Sequence, residues 1–141
     1  MRTAQMQKYE FQIPNEVNHY NLFPDELEND PLVFFHITPS ENFDSIIKRG
    51  FLFASTLGKE EPICFYPLMS VSYAKNSSSC LTHRGENSAH DNVIFVVKFE
   101  TLNLSDIEGI TINPSDIHVR NEAIQPQILG YCIVPQAYIH S

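Results

Sequence analysis

Leu32-Val33-Phe34-Phe35-His36-Ile37-Thr38 is the stretch whose reading decides the fold. It is rich in β-branched and aromatic residues and bounded by Pro31 and Pro39, which predicts a buried strand. Ser40 follows where a helix N-cap is wanted. Phe43, Ile46 and Ile47 then recur at helical spacing, and Gly50 stands just past Lys48 and Arg49 as a C-terminal stop. Phe51-Leu52-Phe53-Ala54-Ser55 returns to extended structure. A strand, a short helix and a second strand therefore follow one another with almost no connecting chain.

Working outward, Pro62 to Tyr66 predicts another strand. Met69 to Lys75 predicts a helical turn or two, with Met69 and Tyr73 at i,i+4. Residues 77–92 are polar, open with three serines and lack periodicity, which predicts a long loop. Asn92 to Glu100 is the strongest strand in the chain, and Asn103 to Asp106 starts a turn. Ile117 to Arg120 and Gln127 to Val134 supply the last strands. Residues 1–30 carry Pro14, Pro24 and an acidic run, and predict an irregular strap whose apolar residues (Phe11, Ile13, Val17, Tyr20, Leu22, Phe23) pack over the core. The domain itself is expected over 31–141. Many short strands with one clear helix imply an α+β fold rather than a βαβ series.

The composition narrows the class. With 43% hydrophobic and 18% charged residues, 141 residues suffice for one packed domain. Nine Lys and Arg against 17 Asp and Glu give a net charge of −8, which argues against general binding of polynucleotide backbones. No stretch approaches the roughly 20 apolar residues of a membrane span. No apolar signal segment follows Arg2, so a cytoplasmic location is expected. Cys64, Cys80 and Cys132 form no C-x-x-C pair and are expected to be reduced thiols. Cys80, His83, His90 and Asp91 lack the paired spacing of a zinc site, so no metal is expected. No G-x-S-x-G, Walker or G-x-G-x-x-G motif is present.

Four segments in order carry a resemblance: FFHITPSENFDSIIKRGFL, ICFYPLMSVSYAKN, NVIFVVKFETLNL and QILGYCIVPQAYI. Together they resemble the ADP-ribosyltransferase superfamily, nearest its DarT-like toxins that modify nucleic acid, in pieces over residues 32–139. The resemblance implies a split, mostly antiparallel sheet with few short helices around a cleft that holds NAD. It carries His36 onto the histidine that bonds the nicotinamide ribose and Thr38 onto its support. Tyr66 or Tyr73 falls on the tyrosine that stacks on nicotinamide, and Gln127 on the third catalytic position, where the family usually has Glu. The implied activity is mono-ADP-ribosylation by a toxin or antiviral effector, on a nucleic acid or a protein, with an antitoxin or immunity protein as a possible partner.

The glutamine matters because an oxocarbenium-like state, as in glycoside hydrolysis, is stabilised by a carboxylate. Three readings follow. Gln127 serves a nucleophile that needs little help; Glu122, five residues earlier, supplies the carboxylate; or the domain binds NAD, ADP-ribose or a partner without turnover. An RNA 2′-phosphotransferase relative shares the implied fold, but few basic residues are present to hold phosphate.

Overall fold

A computed structural model describes residues 6–52, 71–84, 91–100 and 110–138. The elements run β1 (Gln7–Tyr9), α1 (Asp25–Glu28), β2 (Val33–Pro39), a 3₁₀ turn (Ser40–Asn42), α2 (Phe43–Arg49), β3 (Val71–Ala74), α3 (Ser77–Arg84), β4 (Asn92–Lys98), β5 (Ile110–Ile112), β6 (Asp116–Val119) and β7 (Gln127–Val134). The fold is α+β. Its strands form one open sheet in the order β1-β7-β4-β2-β3-β6-β5, antiparallel except where β1 runs parallel to β7.

The sheet is covered on both faces, which explains the unbroken apolar run of β4. Alternate residues point to opposite faces. Phe34, Tyr73, Val93, Phe95, Val97 and Ile117 meet Phe43, Ile46 and Ile47 of α2 on one face. Val33, Phe35, Ile94, Val96 and Cys132 meet Cys80 and Leu81 of α3, with Leu22 and Phe23, on the other. Val93 through Val97 are all fully buried as a result.

The two halves of the sheet are joined unequally. The β2–β4 ladder pairs every residue from Val33 with Lys98 to Pro39 with Asn92. Between β2 and β3 the only register pair among the described residues is Phe35 with Ala74. Beyond that pair the strands part, so β1-β7-β4-β2 and β3-β6-β5 form two wings. A bulge between Val96 and Val97 leaves Leu129 unpaired in β7 and resets its facing.

Several expectations need correction. Val71–Ala74 is a strand, not a helical turn, because Val71 and Tyr73 are buried while Ser72 between them is exposed. Ser77–Arg84 is a helix, not a loop. Its N-cap is Asn76, whose Oδ1 accepts from Ser79 N at 2.9 Å, and its inner face is Ser77, Cys80 and Leu81. Ser40 does not cap a helix through its side chain: it opens the 3₁₀ turn, and its backbone N–H donates to Asp91 O. Within the segment expected to be an irregular strap, β1 joins the sheet. Leu22 and Phe23 are buried there as expected, but Ile13, Val17 and Tyr20 are exposed. The expected strand 62–66 and the turn at 103–106 lie outside the described residues.

Among the described residues, no helix is long and apolar enough to cross a membrane. Cys80 and Cys132 are free, buried thiols, and burial raises both pKa values. No group of His, Cys, Asp or Glu among the described residues could hold a metal.

Candidate functional site

His36 lies at the point where β2 and β3 part. Its Nδ1 lies 2.8 Å from Ser72 O of β3 and bridges the two wings of the sheet. A carbonyl oxygen can only accept, so Nδ1 carries the proton and Nε2 is left as the acceptor of a neutral imidazole. The ring packs edge-on to Phe51 at 5.1 Å and tilted against Tyr73 at 5.6 Å. This crowding lowers its pKa from the ordinary 6.5, outweighing the opposite effect of the Ser72 bond, so the ring is neutral at pH 7. His36 nevertheless keeps part of its surface exposed.

The aromatic surround is continuous. Phe51 also contacts Tyr73 and Phe95, and Tyr73 contacts Phe99. Tyr73 is fully buried, and its hydroxyl has no hydrogen-bond partner among the described residues. Burial holds that hydroxyl protonated far above its ordinary range.

Phe51 is placed by a residue that the sequence pattern did not single out. Gln125 brackets it: Oε1 accepts from Phe51 N at 2.9 Å, and Nε2 donates to Phe51 O at 2.8 Å. The same Nε2 donates to Glu122 O at 2.8 Å, which ties the 121–126 segment to the His36 face. Gly50 is required here. Its φ is +85°, and a Cβ would lie 2.7 Å from Gln125 Oε1. An apolar residue just beyond a helix-stopping glycine was a sequence signal for Phe51. Gln125 had none, because its partner is 74 residues away.

The expected site residues are therefore divided. His36 and Tyr73 are in contact. Thr38 is on the same strand, and its Oγ1 accepts from Asn42 Nδ2 at 2.9 Å. Tyr66 lies outside the described residues. Gln127 pairs with Lys98, which pairs with Val33 on the α3 face, whereas His36 shares its row with Phe95 and Tyr131 on the α2 face. His36 and Gln127 are thus on opposite faces, two strands and three rows apart, roughly 14 Å between backbones by ordinary strand spacing. Gln127 does not converge with His36. No Asp or Glu side chain among the described residues hydrogen-bonds His36 in its place.

This arrangement can accept a hydrogen bond from a hydroxyl at Nε2. The chain matches no protein-family model, and neither a curated protein nor a solved structure matches it at a significant level.

Proposed function

We propose that this chain is an ADP-ribosyltransferase-like module that binds NAD or ADP-ribose at the split between β2 and β3, with little or no transfer activity. The single observation that carries this reading is the loss of β2–β3 pairing on the side of His36 and Tyr73, spanned by the His36 ring. Nε2 of the neutral imidazole is a fit acceptor for a ribose hydroxyl. The position of Gln127 on the far face supports binding over turnover.

A second reading rests on the bond from Gln125 Nε2 to Glu122 O. It anchors the Glu122 backbone in the segment that brackets Phe51, and a weak transferase would draw its carboxylate from that residue.

The test is thermal melting with and without NAD, alongside nicotinamide release. Binding at a hundredfold excess over Kd stabilises by about 2.7 kcal/mol, a shift of several degrees at this size. The shift should vanish in His36→Ala and persist unchanged in Gln127→Glu. Nicotinamide release abolished by Glu122→Gln would favour the second reading. A wild-type chain whose melting ignores both NAD and ADP-ribose would refute the proposal, and release gained by Gln127→Glu would refute the placement of that residue.

A further inference from the structure

A separate site lies in the chain before β2. A cavity of about 380 Å³ opens between the end of β1 and the 17–25 segment, within the range of ligand-binding pockets. Its polar lining includes Glu10, Gln12, His19 and Asp25, with Tyr9 as an aromatic wall, and no Lys or Arg among the described residues lines it. His19 Nδ1 and Asp25 Oδ1 are 3.2 Å apart, but both side chains are more than half exposed, so this contact neutralises little. Glu26 adds to the negative potential: with burial as the larger cause, it raises the pKa of the Tyr9 hydroxyl.

The loop that brings Val17 to the cavity carries further exposed apolar side chains and is held in place. Of the four large hydrophobic residues exposed among the described residues, Ile13, Val17 and Tyr20 are on this one loop, and Val17 is 91% exposed. Asn15 Oδ1 accepts from Val17 N and Asn18 N, while Asn18 Oδ1 accepts from Asn15 N and Tyr20 N. Both asparagine amides donate to Ile13 O. His19 and Tyr20 sit in succession at φ 56° and 60°, a left-handed conformation that non-glycine residues rarely adopt. Exposed apolar side chains on a loop tied this way lose little freedom when a partner covers them.

We infer that this loop and cavity form a docking surface for a segment of another protein that places one arginine or lysine side chain in the cavity and apolar residues against Val17 and Tyr20. Charge selects the occupant: carboxylates line the cavity, and the chain as a whole carries −8. Val17 at the cavity, with Ile13 and Tyr20 on the same loop, favours a polypeptide over a free amine, because these side chains offer apolar contact that an amine alone would not use. The surface belongs to the segment that packs on the α3 face, away from His36, so it stands or falls independently of nucleotide binding.

The probe is the peptide acetyl-Gly-Ser-Leu-Arg-Leu-Ser-Gly-amide, titrated into the labelled full chain and followed by NMR. Controls replace the arginine with citrulline, which keeps the shape without the charge, or with glutamate. The shifts should centre on Val17, Tyr20 and Leu22. Affinity should fall at least about tenfold for the citrulline peptide and for the Glu10→Gln, Asp25→Asn double variant, the loss expected of one charge-assisted hydrogen bond. Val17→Ser should weaken binding without lowering the melting temperature. The inference is overturned by equal shifts from the citrulline peptide, by shifts that map elsewhere, or by no shift at millimolar peptide. Concentration-dependent shifts of the same residues without peptide would assign the surface to a second copy of this chain, which also overturns it.

Discussion

Replacing Glu28 with alanine should be among the most damaging polar substitutions in the described chain. Glu28 is buried, and its carboxylate accepts three bonds: from Ser77 Oγ at 2.5 Å, Ser77 N at 3.2 Å and Phe23 N at 3.3 Å. Ser77 Oγ in turn accepts from Leu22 N at 3.0 Å, so one side chain joins the 22–28 segment to the start of α3. Alanine would strand three buried donors at about 1–3 kcal/mol each, offset by relief from burying a charge, for a net loss of about 3 kcal/mol. For a chain of this length that is a fall in Tm of about 9 °C. Glutamine keeps an acceptor and removes the charge, so Glu28→Gln should cost about 1 kcal/mol or less. Burial, outweighing the hydrogen bonds, raises the Glu28 pKa above its ordinary 4.5. The folded chain therefore holds this proton to higher pH than the unfolded chain does. The resulting stability is complete below pH 4.5 and is lost as pH rises through the folded-state value. Urea unfolding of wild type and both variants from pH 4 to 8 measures all of this. Alanine and glutamine variants of equal stability, or a wild-type profile parallel to that of Glu28→Gln, would refute the reasoning.

Two further substitutions test the site and the sheet edge. Gln125→Ala removes both bonds to Phe51, at a cost of about 1 kcal/mol because water can replace part of them. Hydrogen exchange at the Phe51 amide should accelerate and the NAD-dependent melting shift should shrink; an unchanged Phe51 amide would show that the bracket is not what holds it. Gly130→Ala would drive a Cβ into Gln7 O and to 2.7 Å from the Tyr9 ring, forcing β1 off β7 at a cost of about 1–3 kcal/mol. Amides of Gln7–Tyr9 should lose exchange protection while β4 keeps its own, and retained protection in β1 would refute that placement.

How much of this was legible depends on what each segment buries. β2, α2, β4 and β7 announced themselves through apolar runs or helical spacing, because each packs on the core through its own side chains. Val71–Ala74 was misread because Tyr73 also suits a helical pair with Met69, and four residues are too few to separate periods of 2 and 3.6. α3 was hidden by its serines. Yet Asn76 as cap, with Ser77, Cys80 and Leu81 at i, i+3 and i+4, was a usable signal, and a small hydroxyl proved to be a core position because Glu28 satisfies it. At the site, the contact of His36 with Tyr73 follows from strand order. The facing of Gln127 depends on the bulge at Leu129, which no pattern in β7 betrays.

The parallel pairing of Gln7–Tyr9 with Gly130–Cys132 also governs how the chain can be made. A ribosome produces β1 well before β7, its strand partner among the described residues, by on the order of ten seconds at ~5–20 residues per second. For that interval the nascent chain carries an unpaired strand beside an apolar stretch that includes Phe11, Leu22 and Phe23. The early emerging segment therefore has to stay out of aggregates, or be held by a chaperone, until β7 leaves the exit tunnel.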